Sequence, residues 1–195
     1  MSKIFYISDY HFYHELTIKR SRQEFIDVQE MNESIIERHN KKVSEDDVVY
    51  ILGDILVCPE ENLDEAMKNT VGRLKGRLHL IVGNHDYKYL EKSGFRKYFK
   101  SISEAKLIRD KKRWVQLSHY PLILWYKKNK GSYHVFGHMH NEQVTKEYNI
   151  LKNEKNALNA CVEINNFEPC ELEELINNNV KFRTGCNHIK NKFTF

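Results

Sequence analysis

The chain alternates short apolar runs with stretches in which apolar residues recur every three to four positions. The short runs have the length and the Ile, Val and Tyr content of buried strands. We predict strands at Ile4–Ser8, Val48–Leu52, Leu78–Val82, Trp114–Leu117, Tyr133–Phe136 and Ala160–Ile164.

Three stretches have the periodicity of amphipathic helices. In the first, Asp27 is suited to cap the helix N-terminus, and Met31, Ile35 and Ile36 fall on one apolar face. The other two helices are predicted at about Leu63 to Leu74 and at Glu171 to Ile176. Because strands and helices are interleaved, the pattern predicts an α/β architecture.

The length and the absence of linkers predict one domain. A chain of 195 residues can bury a single sizeable core. No internal repeat, low-complexity tract or Pro/Gly/Ser linker interrupts it, so we predict one domain over residues 1–195, with its motifs within about 4–165. Residues 180–195 mix basic and aromatic residues without periodicity and are assigned to no element.

Composition places the chain among soluble globular proteins, with 41% hydrophobic and 30% charged residues. The N-terminus, MSKIFYISD, indicates a buried strand rather than a secretory signal, and no apolar stretch has the length of a membrane span. We therefore expect a cytoplasmic protein with no membrane partner. The chain has four scattered cysteines, Cys58, Cys161, Cys170 and Cys186. We expect them to be free thiols, and a disulfide is the minority alternative.

Metal-binding residue types follow five of the apolar runs directly, in the segments YISDYH, YILGD, LIVGNHD, VQLSH and HVFGHMH. In open α/β sheets ligands bind outside the carboxyl ends of the strands, so these side chains would converge on one crevice. The candidate metal ligands are Asp9, His11, Asp54, Asn84, His119, His138 and His140.

The spacing of two histidine-containing pairs supports this prediction. Asp9 and His11 are two positions apart, as are His138 and His140, so in extended backbone each pair would project to one side. Glycines at 53, 83 and 137 would let the chain turn beside the ions, where a side chain would obstruct. Each residue alone has an ordinary explanation as a turn or cap residue, but five such strand ends together favour a metal site.

The ordered set of motifs resembles the calcineurin-like metallophosphoesterases over about residues 4–165, and SDYHFYH and SHYPL are similar to a compact bacterial, archaeal and phage subgroup. The resemblance implies two mixed β-sheets packed face to face with flanking helices. It also implies that Asp54 bridges two ions. One ion would be held by Asp9, His11 and His140, and the other by Asn84, His119 and His138. The motifs are Asp9-x-His11, Gly53-Asp54, Gly83-Asn84-His85-Asp86, His119 and Gly137-His138-Met139-His140.

Two cations about 3.5–4 Å apart can clamp the attacking and leaving oxygens at phosphorus and supply a hydroxide at neutral pH. The expected activity is therefore hydrolysis of a phosphomonoester or phosphodiester, nucleotides included, by a dimetal-bound hydroxide. A histidine-rich site without thiolates favours Mn, Fe, Co, Ni or Zn over Mg. We expect two divalent transition-metal ions, with Mn first.

Four further residues are candidates for the substrate side. His85 would donate a proton to the leaving oxygen or a hydrogen bond to the phosphoryl group. Asp86 would either orient His85 or cap the next helix. His14 is a candidate phosphate contact or an exposed loop histidine, and Arg22 is a weaker candidate clamp. In residues 124–131, the lysines are expected to overhang the crevice and Trp125 to pack inward.

Two alternative functions are weighed against a small-molecule phosphoesterase. A nuclease acting on DNA or RNA ends would be expected to carry a broader basic surface than a net charge of +4 indicates. A non-catalytic interaction module, like the retromer subunit of similar fold, could lose ligands or His85 without harm. All of these residues are present here.

Overall fold

A computed structural model describes residues 2–184 of the protein. Within this range the chain forms eight β-strands and six α-helices. The strands are β1 Ile4–Ile7, β2 Val48–Ile51, β3 Arg77–Ile81, β4 Ser101–Ser103, β5 Ala105–Asp110, β6 Arg113–Ser118, β7 Tyr133–Phe136 and β8 Ala157–Asn159. The helices are α1 Glu15–Ser21, α2 Val28–Lys42, α3 Leu63–Asn69, α4 Ser93–Arg96, α5 Lys146–Leu151 and α6 Leu172–Arg183.

The strands form two sheets of four. The first has the order β1-β2-β3-β4 and is parallel throughout. The second has the order β5-β6-β7-β8, with β5 antiparallel to β6 and the remaining pairs parallel. The α/β class is confirmed. Of the two sheets expected to be mixed, only the second is, because helical crossovers between β1, β2 and β3 make the first one parallel.

The two sheets pack against each other, and alternate residues of each strand of the first sheet face the helices. Tyr6, Tyr50 and Leu52 point into the core between the sheets, where they meet Val115 and Leu117 of the second sheet. The other face of the first sheet packs on α2 and α3 through Phe5, Ile7, Val49, Ile51, Met31, Ile35, Ala66 and Met67. This period-2 alternation on a sheet covered on both faces produces the near-continuous apolar runs seen in the sequence.

Helix α2 begins where the sequence predicted. The Asp27 carboxylate accepts hydrogen bonds from the backbone N–H groups of Gln29 and Glu30 at 2.9 and 2.8 Å. Met31, Ile35 and Ile36 are buried, as predicted. The helix thereby fills the outer face of the first sheet and supports β1, whose end leads to Asp9.

The predicted strand at Ala160–Ile164 is wrong. The strand is β8, three residues earlier, and Val162–Ile164 form a 3₁₀ helix. The Asn159 side chain accepts a hydrogen bond from the N–H of Cys161, which turns the chain after β8. Residues Ala160–Ile164 are nevertheless buried, so the apolar run in this segment belongs to a buried turn rather than to a strand.

Other boundaries also differ from the prediction. Helix α3 ends at Asn69 and is followed by a 3₁₀ turn at Val71–Arg73. Helix α6 continues past Ile176 to Arg183, so it includes residues 180–183. The rest of the unassigned tail, 185–195, and with it Cys186, lies outside the described residues. Cys58, Cys161 and Cys170 are free thiols, as expected, and all three are buried. In residues 2–184 no helix is long and apolar enough to cross a membrane.

Candidate metal centre

The predicted ligands all follow the carboxyl ends of strands β1, β2, β3, β6 and β7, and the structure brings them together. The Asn84 Oδ1 atom lies 3.1 Å from Nε2 of His119. The other side chains form three overlapping groups with ligand atoms within 4.8 Å of one another: Asp9, His11 and His140; Asp54, His119 and His138; and His11, Asp54 and His85.

One group, the Asp9 cluster, consists of Asp9, His11 and His140. The Nε2 atoms of both histidines lie 3.8 Å from Oδ1 of Asp9, which is too far for a hydrogen bond. Asp9 Oδ1 and His11 Nε2 are buried and have no hydrogen-bond partner among the described residues. Because buried polar atoms are normally paired, these two orphaned atoms facing one space are the expected geometry of ligands around a cation.

A second group, the His119 cluster, consists of Asn84, His119 and His138. Nδ1 of His119 donates a 2.7 Å hydrogen bond to the carbonyl of Leu52, which leaves Nε2 as the free acceptor. That Nε2 lies 3.2 Å from Nδ1 of His138 and 3.1 Å from Oδ1 of Asn84. Three potential ligand atoms therefore face one point.

Asp54 lies between the two clusters. Its Oδ2 atom is 3.7 Å from Nε2 of His11 and 3.5 Å from Nε2 of His119. This placement coincides with the bridging position that the family resemblance implies for Asp54.

The electrostatics of the site suit cations. Burial lowers the pKa of His11 well below its ordinary value, and burial followed by His119 lowers that of His138. Both imidazoles are thus neutral and able to coordinate. Burial and the neighbouring Asp9 carboxylate raise the pKa of Asp54, the response of two close acids without a compensating charge. The donor set and its charges therefore fit divalent metal ions.

Five of the candidate ligands have a left-handed backbone, which non-glycine residues rarely adopt. Their φ angles are 58° at Asp9, 49° at His11, 53° at Asp54, 69° at His138 and 46° at His140. The expectation of extended pairs projecting to one side is therefore wrong, and His138 and His140 join different clusters. Such conformations cost about 1–3 kcal/mol each and concentrate at functional sites.

The three glycines predicted to make room for the site do so. A Cβ atom on Gly53 would lie 2.5 Å from Nδ1 of His119, and one on Gly137 would lie 2.6 Å from Oδ2 of Asp9. A Cβ atom on Gly83 would collide with the Asp54 carboxylate. Only hydrogen fits at these three positions without displacing a candidate ligand.

His85 and His14 lie at the edge of the Asp9 cluster. The ring centroid of His85 is 5.2 Å from that of His11 and 5.6 Å from that of His14, and both rings are partly exposed. Nδ1 of His14 lies 3.0 Å from Nδ1 of His11, so His14 also contacts a candidate ligand. Burial and then His85 lower the pKa of His14 to about 4. The substrate roles of His85 and His14 stay predictions.

Asp86 has neither of the two roles expected for it. Its buried carboxylate accepts hydrogen bonds from the backbone N–H groups of Gly83, Asp54 and Ile55 at 2.8, 2.9 and 3.0 Å. It makes no side-chain cap to the following 3₁₀ helix. Burial raises its pKa to about 7 although the three N–H groups oppose this. Asp86 instead joins the loop after β2 to the loop after β3.

The hypothesis that Arg22 clamps phosphate is wrong. Arg22 follows the last residue of α1, and its side chain is 0% exposed. Its guanidinium donates to Glu163 and to the carbonyls of Asp9 and Tyr10. Arg22 therefore lies beneath the site and presents no group to substrate.

Two of the three lysines of residues 124–131 do not overhang the crevice. Trp125 packs inward as predicted, with Nε1 donating to the carbonyl of Ser132. Lys128 pairs with Glu154 at 2.7 Å, and the Lys127 ammonium lies 5.0 Å from the centre of the Trp114 ring. Trp114 is near the start of β6, whose opposite end leads to His119, so these two lysines lie away from the site.

Three further residues lie at the site and are not among those predicted from the sequence. Glu163 accepts a 2.8 Å hydrogen bond from Nδ1 of His140. Burial lowers the pKa of His140, but Glu163 and then Asp9 raise it, and the net result is a pKa of about 9. Cys161 donates from Sγ to Oδ2 of Asp9 at 3.0 Å. The Tyr120 ring lies 4.6 Å from the His138 ring. An acid inside the apolar run Ala-Cys-Val-Glu-Ile was a usable signal for Glu163; the sequence marks neither Tyr120 nor Cys161.

Loops from both sheets of an α/β sandwich thus define a candidate two-ion centre. The chain belongs to the calcineurin-like phosphoesterase family, whose model matches residues 2–156, and this confirms the resemblance of the motifs.

Several proteins are similar to this chain in sequence or in structure. An uncharacterized protein of Methanocaldococcus jannaschii is 28% identical over 181 residues, covering 90% of each chain. The crystal structure of a protein of unknown function from Aquifex aeolicus is 26% identical and has a TM-score of 0.69, covering 91% of this chain and 99% of that one. Vacuolar protein sorting 29 from Cryptosporidium parvum, 17% identical with a TM-score of 0.40, covers 81% of this chain and 72% of that one. That fit is too loose to bear on function.

Proposed function

We propose that this protein is a phosphoesterase that uses two divalent transition-metal ions to hydrolyse a phosphomonoester or phosphodiester, nucleotides included. The observation that carries the proposal is the position of Asp54, whose Oδ2 faces a histidine of each cluster at 3.7 and 3.5 Å. Membership of the calcineurin-like phosphoesterase family supports the same reaction class.

Each cluster would bind one of the two ions. The Asp9 cluster would hold one ion and the His119 cluster the other, with Asp54 shared. When bound, the ions would lower the pKa of a coordinated water toward neutrality and offset charge on the phosphoryl group. Manganese is our first choice, because neutral imidazoles and carboxylates suit it and no thiolate is needed.

The partly exposed histidines would face the substrate. His85 lies beside His11 and Asp54 on the outer side of the site, where its ring can donate a proton to the leaving oxygen or a hydrogen bond to a phosphoryl oxygen. His14 lies next to both rings and could contact phosphate through its Nε2 atom. Both roles require the rings to remain reachable from solvent, and both are.

Water, rather than a side chain, would be the nucleophile. Cys161 is the thiol beside the Asp9 cluster, but burial and then Asp9 raise its pKa well above the ordinary value. A thiol that stays protonated and has no solvent exposure cannot attack a phosphoester.

The direct test combines metal analysis with turnover. Purified protein is stripped with a chelator, its metal content is measured by mass spectrometry, and hydrolysis of p-nitrophenyl phosphate and bis(p-nitrophenyl) phosphate is followed. We expect close to two ions per chain and activity that returns with Mn²⁺. Full activity in metal-free protein would contradict the proposal, and the faster substrate distinguishes monoester from diester preference.

The same preparation tests the alternatives. Linear DNA and RNA with labelled ends would be degraded by a nuclease. A non-catalytic module would bind metal and turn over none of these substrates.

We further propose a cytoplasmic location, which the three buried free thiols support.

A further inference from the structure

We propose that Arg22 and Glu163 form a buried positioning pair that builds the Asp9 cluster and gives it a metal affinity separate from that of the His119 cluster. This inference rests on the proposed function only in taking the two clusters as metal sites. It concerns two residues that touch no substrate and that lie beneath the ligands.

Arg22 ties the ion pair to the backbone of the first ligand. Its Nη2 donates to the carbonyl of Asp9 at 2.6 Å and its Nη1 to the carbonyl of Tyr10 at 2.7 Å. These carbonyls belong to the segment in which Asp9 and His11 adopt left-handed φ angles. Because such a backbone persists only where its surroundings hold it, the guanidinium supplies part of what fixes Asp9 in place.

Glu163 ties the same pair to the last ligand. Its Oε1 accepts from Nε and Nη2 of Arg22 at 2.9 and 2.8 Å, and from Nδ1 of His140 at 2.8 Å. Because Nδ1 keeps its proton in this hydrogen bond, Nε2 is the nitrogen of His140 that faces Asp9 and that would bind a metal ion on releasing its own proton. A carboxylate behind a ligating histidine fixes its tautomer and orientation and makes it a stronger ligand.

The pair therefore joins two loops that are far apart in sequence. Arg22 is 13 residues from Asp9, whereas Glu163 is 141 residues from Arg22 and 23 from His140. Both side chains are almost fully buried, so solvent does not screen the interaction. Without Glu163, Arg22 would be an uncompensated buried cation, whereas without Arg22 the Glu163 carboxylate would keep only His140 as a partner of opposite charge.

The His119 cluster is held differently. Nδ1 of His119 donates to the backbone carbonyl of Leu52, a neutral partner, where His140 donates to a carboxylate. The two clusters thus differ in the anchor behind a principal histidine. A change at Glu163 should weaken the Asp9 cluster and spare the other.

The test measures Mn²⁺ binding by calorimetry and native mass spectrometry in wild type, Glu163→Gln and Asp110→Asn. Gln keeps the shape of the side chain and removes its charge. Asp110 is a matched control, because it is a buried acid that accepts from Tyr6 between the sheets and contacts no candidate ligand. We expect Glu163→Gln to bind one ion about 10–100-fold more weakly and the second as in wild type. Asp110→Asn should bind both ions normally even if it is less stable.

The double variant Arg22→Met/Glu163→Gln separates positioning from charge balance. Removing both members of the pair eliminates the uncompensated Arg22 cation that Glu163→Gln leaves, so thermal stability in chelator should recover relative to Glu163→Gln alone. Affinity for the first ion should not recover, because His140 still lacks its carboxylate.

Three results would overturn the inference. Wild-type affinity for both ions in Glu163→Gln would do so, as would equal weakening of both ions, or recovery of metal affinity together with stability in the double variant. Hydrolysis is not a readout here. A wild-type protein that binds two ions but hydrolyses no phosphoester would refute the proposed function. The inference would then still be decided by the metal affinities of the variants.

Discussion

The backbone N–H of His85 donates a 2.9 Å hydrogen bond to Oδ1 of Asp54. Oδ2 of the same carboxylate faces His11 and His119, so one side chain orients the loop that carries His85 and lies between both clusters. The roles of Asp54 and His85 can therefore be separated only by measuring metal content and turnover together.

We expect Asp54→Ala to weaken both metal sites together, because its carboxylate lies within reach of a histidine from each cluster. The measurement is the number of Mn²⁺ ions bound per chain at increasing free Mn²⁺, using native mass spectrometry. Loss of one ion with the other retained at wild-type affinity would show that Asp54 is a ligand to a single ion. Asp54→Asn is the conservative companion, since it keeps the acceptor for His85 and removes the charge.

His85→Ala should leave metal content intact and lower turnover of an ester with a poor alkoxide leaving group by about 10²–10⁴-fold. Hydrolysis of a nitrophenyl ester should fall much less, because nitrophenolate needs little protonation. The two rates, measured on one preparation of known metal content, check this directly.

His85→Asn is the control for that experiment, since it retains a hydrogen-bond donor and cannot give a proton at neutral pH. Equal losses on both substrates would assign His85 to the phosphoryl oxygens instead. Loss of an ion would show that His85 is a metal ligand. This outcome must be checked because the ligand atoms of His85, His11 and Asp54 lie close together.

Strand ends were the part of this protein that the sequence predicted best. Each motif follows an apolar run that is a buried strand in the structure, so the strand and the residues after it are found together. The position of β8 was predicted wrongly because an apolar run indicates burial and not a particular secondary structure. Cys161 and Val162 are buried but do not belong to a strand.

The residues beneath the site could not be predicted in the same way. Arg22 was expected to contact substrate and Asp86 to orient His85 or cap a helix, yet both are buried and bonded to the loops. Whether a polar side chain points into a crevice or under it depends on local turns, and here on left-handed residues such as Asp9 and His138. Asp and His adopt left-handed φ angles more readily than most residues, but still too rarely for the sequence to mark these positions.

Acid should destabilise the fold through two buried histidines outside the site. Burial lowers the pKa of both His39 and His134 to about 4, below the ordinary value of 6.5. As the pH falls, these histidines therefore bind protons in the unfolded chain before they do so in the folded protein. The contribution of the two neutral histidines to stability is complete above pH 6.5 and is lost as the pH falls toward 4. By pH 5 the loss should be about 2 kcal/mol for each.

The measurement is the free energy of urea unfolding at pH 7 and pH 5, with chelator present so that metal binding does not contribute. His39→Gln should reduce the difference between the two pH values, because Gln does not titrate. An unchanged difference would show that His39 is not held neutral by the fold, despite the 2.6 Å contact of its Nδ1 with the Tyr10 hydroxyl.

Gly137→Ala should weaken metal binding at the Asp9 cluster while the chain still folds. The added Cβ would lie 2.6 Å from Oδ2 of Asp9 and 2.8 Å from the Ser8 side chain, so the carboxylate must move. Gly137 does not have a positive φ, which means that alanine costs little in backbone strain. Gly131→Ala is the matched control: its φ of 80° makes alanine strained, but nothing lies within 4 Å of the new Cβ. We expect Gly131→Ala to lower the melting temperature and to bind Mn²⁺ as wild type does, and Gly137→Ala to show weaker binding of one ion. If calorimetry finds wild-type affinity in Gly137→Ala, Asp9 tolerates the displacement, and its carboxylate cannot be a close ligand to an ion.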